Sequence, residues 1–532
     1  MRRTLVRERP LAAWGSAWLL MATVLLSSCI SLPGPERRTT SLALPAGSGT
    51  PLGTASAADL PVSGSSGFRL LPSGPAALTA RLELVQRAES SLDLQYFLLR
   101  ADRTGLELLR SLRDAATRGV RVRLLLDDLY APGDELLLSL AAFPNVEVRL
   151  FNPLPLRNPG LIARFAASLF FFEQLNHRMH NKLFVADGVF AITGGRNIAD
   201  EYFSRRLSAN FVDLDVLAAG AIVAEMSASF DTYWNSSLAY PVLEVAAKPA
   251  LSVEALQRSF DTLVGQAVAP ERAMPSETDV FGRPSLELEL KQGRLELLWG
   301  NGQSFADAPD KGVRTADGGS AYGEGRVQLG ALELIRAARS EVILTSPYFV
   351  PGPEGVELVR SLTRRGVTVR ILTNSLASTD QPLVHGAYRR YRSALLQAGA
   401  DLYEISPKWI GSDEQRKTYG LSPGGLHAKS LVIDRTTVVI GSMNFDPRSD
   451  HFNTESAIVV RIPEFGREAA QLARLGSLEG AHRLRLADDG ARLLWDEPLE
   501  DGGGPHTSEP EASLWRRFWL RVLSAFAPES LL

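Results

Sequence analysis

The sequence predicts an α/β protein made of two duplicated α/β sandwich domains, related by a pseudo-twofold axis, with one active site at their interface. Three observations predict it. Helix-like and strand-like apolar patterns alternate in the same order in both halves of the chain. Arg118-Gly119-Val120 and Arg365-Gly366-Val367 lie 247 residues apart, and so do His180 and His427. Finally, HNKLFVADGVFAITGGRN at 180–197 and HAKSLVIDRTTVVIGSMN at 427–444 share one pattern: His-x-Lys, four residues, Asp, six residues, Gly-Gly or Gly-Ser, one residue, Asn. A spacing shared over that length indicates duplicated domains.

The elements follow in chain order. Arg2, Arg3, Arg7 and Arg9 precede an uncharged run at 11–28, which ends in Leu26-Ser27-Ser28-Cys29. Residues 1–28 therefore read as a signal peptide. Cys29 is the sole cysteine, which excludes a disulfide framework and a cysteine metal cluster. Residues 29–66 are rich in Pro, Gly, Ser, Thr and Ala and read as a flexible tether. The first domain is expected over 67–245, with helices at 78–90 and 104–117 and strands at 91–99 and 120–128. A less regular connecting region covers 246–325. The second domain is expected over 326–475, with helices at 329–340 and 356–366 and strands at 341–350 and 367–374. Residues 476–532 form a C-terminal extension.

With 532 residues the chain is too long for one ordinary domain. Its net charge of −3 gives no global attraction to nucleic acid, which leaves only a local basic cleft to serve that purpose.

Each repeated motif carries a chemical constellation. On a strand, His180 and Lys182 share one face, and the Asp187-Gly188 turn returns the chain so that Asn197 comes back near His180. His427, Lys429 and Asn444 repeat the arrangement. An imidazole, a fixed positive charge and an amide donor together suit a phosphate. Two facing sets let one histidine attack phosphorus while the other protonates the departing alkoxide, with no metal or cofactor required. The sequence alone leaves open which histidine attacks.

The two motifs resemble the paired HKD motifs of the phospholipase D superfamily, over about residues 70–470. Flanking strings such as SLDLQYF, RGVRVRLLLDD, GGRNIADEYF, FVDLDVLAAG and VRILTNSLASTD are similar to bacterial cardiolipin synthases, most closely the type C branch. The resemblance implies two phospholipase D-like domains. It also implies a phosphatidyltransferase that passes a phosphatidyl group through a phosphohistidine to phosphatidylglycerol. His180 would be the nucleophile and His427 the general acid, with Lys182, Lys429, Asn197 and Asn444 holding the phosphate. Asp213 and Glu455 would hydrogen-bond the histidine rings. Asp187 and Asp434 belong to the named motif and are expected to act mostly as turn and structural residues. Gly195 stands where the second motif has Ser442.

The implied partners are phospholipids: phosphatidylglycerol, with phosphatidylethanolamine as donor and phosphatidylglycerol as alternative donor. Some relatives also need a small accessory protein, and no nucleic acid is expected. LSSC resembles the bacterial lipobox, so Cys29 would be lipidated and anchor the chain in the cell envelope. With Ile30 rather than Asp next, the outer membrane facing the periplasm is favoured over the inner. The rival readings are a hydrolytic phospholipase D, a superfamily nuclease and a lipoprotein that only binds anionic lipid. Four further features carry weaker signals. His177 and Arg178 would add positive potential beside the site. His385, in HGAYRRYR, would contact the lipid acceptor or line an exposed helix face. The run 161–175 would form an apolar lip or a buried helix. WRRFWLRVLSAF at 515–526 would lie at a membrane interface or dock back on the domain.

Overall fold

The computed structural model describes residue 34 and residues 38–58, 60–62, 64–154, 172–206, 210–246, 251–265, 278–312, 325–408, 424–478, 480–497 and 504–524. The expected signal peptide, Cys29 and most of the run 161–175 lie outside the described residues.

The strands of the first half are β1 (Ser66–Leu71), β2 (Ser91–Leu98), β3 (Arg121–Tyr130), β4 (Val146–Phe151), β5 (Leu183–Ala186), β6 (Phe190–Gly194), β7 (Asp215–Gly220) and β8 (Ala239–Pro241). Those of the second half are β9 (Leu298–Ala306), β10 (Glu341–Thr345), β11 (Thr368–Asn374), β12 (Asp401–Ile405), β13 (Ser430–Ile433), β14 (Thr437–Gly441), β15 (Ser456–Arg461) and β16 (Ala481–Leu486), followed by β17 (Leu493–Asp496). The first sheet runs β8-β4-β3-β2-β5-β6-β7-β1. The second runs β16-β12-β11-β10-β13-β14-β15-β9 in the same order, with β17 added outside β16. In each, three strands are parallel (β2, β3, β4 and β10, β11, β12) and the rest antiparallel. The parallel strands are joined by helices, as that direction of pairing requires.

β9 holds the two halves together. Its residues 298–300 pair with the start of β1, while 301–306 pair with β15. This changes the expected boundaries. Part of the connecting region, 298–306, is the counterpart of β1, and β16 extends the second sheet beyond 475. The sequence LWGNGQSFA lacks a clean alternation because its two glycines make room for the Ile462 and Phe68 side chains. A Cβ on Gly302 would lie 2.2 Å from the Phe68 ring.

The tether also differs from expectation. Residues 38–58 pack along the first domain. Arg123 donates to Ser41 O (2.9 Å), Ala43 N donates to Asp231 (2.8 Å), and Gly47 N donates to Asp187 O (2.9 Å). Thr50 caps the helix Pro51–Ala57, whose Leu52 is fully buried. These backbone bonds and the buried leucine compensate the ordering entropy that a Gly/Ser/Pro-rich composition otherwise resists.

The apolar faces of the two sheets meet in one core. Leu183, Val185, Val212 and Leu214 from the first half cluster with Leu426, Ala428, Val432 and Ile458 from the second. Burying each of the Leu, Val and Ile side chains contributes about 1.5–3 kcal/mol, so the two halves share a substantial apolar core.

Candidate active site

His180 and His427 each precede a short buried strand, β5 and β13, and each strand turns back through a tight hairpin. Asp187 and Gly188 in the first turn, and Asp434 and Arg435 in the second, have φ between 51° and 64°. Both aspartates lie at the far end of the strand from their histidine. Asp187 accepts from the amides of Ser90 (2.8 Å), Ser91 (3.0 Å) and Glu89. Asp434 accepts from those of Ser340 (2.7 Å), Glu341 (3.0 Å) and Arg339. Each ties the hairpin to the start of the neighbouring parallel strand.

At the other end the halves exchange backbone bonds. His180 N donates to Thr454 O (2.9 Å), and Thr454 N donates to Arg178 O (2.9 Å). His427 N donates to Val212 O (2.8 Å), and Val212 N donates to Gly425 O (2.9 Å). These crossings set each carboxylate against the histidine of the opposite half. His180 Nδ1 lies 2.9 Å from Glu455 Oε2, and His427 Nδ1 lies 2.6 Å from Asp213 Oδ2. Lys182 Nζ donates to His180 O (2.5 Å) and Lys429 Nζ to His427 O (2.6 Å), and Lys429 Nζ also rests 3.0–3.1 Å from both nitrogens of the His427 ring. All six side chains are buried.

Burial dominates the protonation of this cluster. It lowers His180 to about 4, against the pull of Glu455. It lowers His427 as well, with Lys429 adding to the effect. Burial also brings Lys182 down to about 7 and Lys429 to about 8. Burial alone would raise the two carboxyls. Instead His180, Lys182 and Ser442 hold Glu455 near 2, and His427, Lys429 and Arg196 do the same for Asp213. The resting site thus pairs neutral imidazoles with carboxylates. For His180, an Nδ1–H donated to Glu455 leaves the Nε2 lone pair available, whereas His427 Nε2 lies 3.1 Å from Lys429 Nζ.

The asparagines are not equivalent. Asn197 Nδ2 donates to the Tyr202 hydroxyl (3.0 Å), and its Oδ1 accepts from Leu98 N (3.3 Å). Asn444 Oδ1 is buried with no hydrogen-bond partner among the described residues. Rotating that amide by half a turn presents its NH₂ at the same place. The Gly195 and Ser442 difference has a steric cause. A Cβ on Gly195 would lie 2.0 Å from Asp213 Oδ1, whereas Ser442 Oγ donates to Glu455 and accepts from Ser456 N (3.0 Å).

Sequence reasoning missed the aromatic frame. Phe97 meets His180 edge-on with centroids 4.9 Å apart, and Tyr202 and Phe211 flank His427 at 5.1 and 5.0 Å. It also missed Arg196, which donates to Leu71 O, Pro72 O and Asp213 O and so ties the backbone of the first carboxylate to the end of β1. Arginine within GGRN was the available signal. Asp446, buried beside Glu455, is raised to about 7 by burial.

Two weaker expectations are corrected. His177 is buried and lowered to about 4 by burial, then by Arg178 and Lys311, so it adds no positive potential. Arg178 pairs with buried Asp127 at 3.1 Å. His385 faces neither an acceptor nor solvent. Its Nε2 is 3.0 Å from Arg392, in a buried network that includes Glu404 and Glu509.

Two halves of one fold, each supplying a histidine and a lysine to a shared centre and a carboxylate to the other's histidine, define an enzyme of the phospholipase D superfamily. The family model described as "Cardiolipin synthase, PLD-like domain" matches residues 82–234 and 331–474. The chain belongs to this family of cardiolipin synthase PLD-like proteins. It is 35% identical over 459 residues to cardiolipin synthase C of Escherichia coli K12, covering 86% of this chain and 94% of that one. It is 26% identical over 448 residues to a cardiolipin synthase of Geobacillus kaustophilus, covering 82% and 73%. Among solved structures, the phosphatidylserine synthase of Haemophilus influenzae Rd KW20 has the same fold, with a TM-score of 0.52, 13% identity, and coverage of 87% and 91%.

Proposed function

We propose that the protein is a phosphatidyltransferase that makes cardiolipin, using phosphatidylglycerol as acceptor and phosphatidylethanolamine or phosphatidylglycerol as donor. The observation that carries the reading is the crosswise pairing of His180 with Glu455 and His427 with Asp213. The similarity to two cardiolipin synthases supports it.

The chemistry follows from protonation. His180 Nε2 attacks the donor phosphorus, forming a P–N bond as the P–O bond to the headgroup breaks. Glu455 stabilises the positive charge that develops on the ring. His427 gives its proton to the departing alkoxide. The ring holds that proton once the anionic phosphodiester enters, because a nearby negative charge raises the pKa of His427, Lys182 and Lys429 together. The now neutral His427 takes the proton of the acceptor hydroxyl. That oxygen attacks phosphorus, the P–N bond breaks, and His180 is restored. Lys182, Lys429 and Asn444 neutralise and bond the nonbridging oxygens.

The test is mass spectrometry of lipids after incubating the protein with vesicles of phosphatidylglycerol and phosphatidylethanolamine, wild type beside His180→Ala. Cardiolipin with wild type alone is expected. Phosphatidic acid without cardiolipin would replace the transferase by a hydrolase, and unchanged lipid would overturn both. The expected envelope localisation and lipidation at Cys29 belong to the same proposal, tested by labelling with a radioactive fatty acid.

A further inference from the structure

The helix Leu514–Ser524 carries two different faces. Leu520 is 1% exposed and packs with Leu376 and Ala512, and Arg516 donates to Ala377 O (3.2 Å) and Thr379 O. This face fastens the helix to residues 376–379. On the other face Trp515, Phe518 and Trp519, at i, i+3 and i+4, are 67%, 54% and 41% exposed. Trp515 stacks on Phe518, and Trp519 meets both rings edge-on, at centroid distances of 5.4–6.0 Å, forming a single aromatic ridge. Leu514, at 81%, adjoins it.

The docked face leads to the site. Residues 376–379 run into Asp380, which accepts from the Tyr348 hydroxyl at 2.8 Å, and the Tyr348 ring lies 6.0 Å from Lys429 Nζ. The helix that carries the ridge is therefore connected, through Asp380 and Tyr348, to Lys429, the lysine proposed above to hold the phosphate. Its charge surroundings select the occupant. Arg516 and Arg517 bond only neutral oxygens, the latter Ser508 Oγ and Glu509 O, and neither lies within 4 Å of a carboxylate among the described residues. Asp380 partly offsets Arg516, but Arg517 forms no ion pair among the described residues, and rings with an apolar body beside such an arginine match the boundary between acyl chains and phosphate headgroups.

We propose that this helix docks on a phospholipid bilayer and sets the active site against the surface that holds its substrate. The inference rests on the phospholipid reading above, and goes beyond it by naming a second membrane contact apart from any N-terminal lipid. Docking needs no conformational change, because the ridge already faces outward.

The test uses the full chain on vesicles of phosphatidylglycerol and phosphatidylethanolamine carrying brominated acyl chains, which quench tryptophan on contact. An N-terminal lipid would hold every variant on the vesicle, so quenching rather than partition is the readout. Wild type should be quenched more than Trp515→Phe/Trp519→Phe, and the difference should come from these two rings. In a second arm, Trp515→Ser/Phe518→Ser/Trp519→Ser should lose about tenfold or more in turnover of bilayer phospholipid. Its turnover of a short-chain monomeric phospholipid should match wild type, which also shows that it folds. Equal quenching of wild type and the phenylalanine variant, or equal loss on both substrates, would overturn the docking role. If wild type converts neither lipid yet Trp515 and Trp519 are quenched, docking stands and the substrate reading falls.

Discussion

Asp213 Oδ2 lies 2.6 Å from His427 Nδ1 although 214 residues separate the two in the chain. The carboxylate belongs to the first half and the imidazole to the second. Glu455 and His180 repeat the relationship in the opposite direction, 275 residues apart. Neither half therefore contains a correctly oriented histidine by itself. Asp213→Asn should leave the ring in place but lose the charge that selects its tautomer, lowering turnover by about 10²–10⁴-fold. Combined with His427→Ala it should add little, because the two act as one unit. A fully additive double variant, measured by initial rates of lipid conversion, would contradict the pairing.

Gly195 offers a sharper probe of the same pair. A Cβ there reaches to 2.0 Å from Asp213 Oδ1, against a fully buried side chain held by Leu214 N and His427. Gly195→Ala should push Asp213 off His427 and cost about 10²-fold in turnover, as small displacements in a reacting constellation do. Ser442→Ala, its counterpart, creates no clash. It removes a donor to Glu455 and strands the Ser456 amide, a loss of about 1–3 kcal/mol in stability. Rates and denaturant midpoints measured side by side separate the two effects. Comparable activity in Gly195→Ala and wild type would refute the steric reading.

The motif aspartates should behave differently from the motif lysines. Asp187 accepts three backbone amides from Glu89, Ser90 and Ser91 at the far end of β5 from His180. Asp187→Ala strands those donors and should cost about 1–3 kcal/mol or more of stability. Turnover per folded molecule should remain within a few-fold of wild type. Lys182→Met should do the reverse, with stability kept and phosphate binding lost. Chemical denaturation together with active-site titration distinguishes them, and loss of chemistry in stable Asp187→Ala would return that residue to the reaction.

Stability against pH carries a sign that can be worked out. Burial holds His177 at about 4, while the unfolded ring titrates near 6.5. Between those values the unfolded chain binds a proton that the folded chain refuses. The contribution is thus fully present above about pH 6.5 and is lost as pH falls toward 4. Asp446, raised to about 7 by burial, acts with the opposite sign over the window from its usual 3.8 to 7. The informative quantity is therefore the difference between His177→Asn and wild type. The variant should lose less stability from pH 7 to 5, by about one proton in slope. Parallel curves would mean that His177 is not held neutral.

The sequence made the repeat legible because His, Lys, Asp, Gly and Asn recur at fixed offsets along single hairpins, where spacing sets geometry. The turn role of Asp187 was legible for the same reason. The crossed pairing was not, since no local period records which carboxylate a histidine meets across an interface. β9 escaped notice because its bonds go to β1 and β15, and its glycines serve those neighbours rather than a pattern of its own. The segment 38–58 looked like a tether by composition. Its order comes from Arg121, Arg123 and Arg149, side chains far along the chain that bind its carbonyl oxygens. His385 looked exposed in HGAYRRYR because its partner Glu509 lies more than a hundred residues away.

The two lysines make a last prediction that needs no turnover. Burial lowers Lys182 to about 7 and Lys429 to about 8 in the empty site. At pH 8.5 both are therefore largely neutral, although an exposed lysine would be charged. An anion seated between them restores the ammonium forms, since a neighbouring negative charge raises each pKa. Binding of inorganic phosphate at pH 8.5 should then take up about one proton or more per site. Calorimetry in two buffers of different ionisation enthalpy measures that uptake. Lys182→Met should reduce it while lowering affinity, which assigns the proton to the lysine rather than to phosphate. At pH 6, where both lysines are already charged, uptake by them should vanish. Uptake unchanged in Lys182→Met, or absent at pH 8.5, would show that Lys182 is charged before the phosphate arrives, and that the site attracts its substrate with a charge already in place.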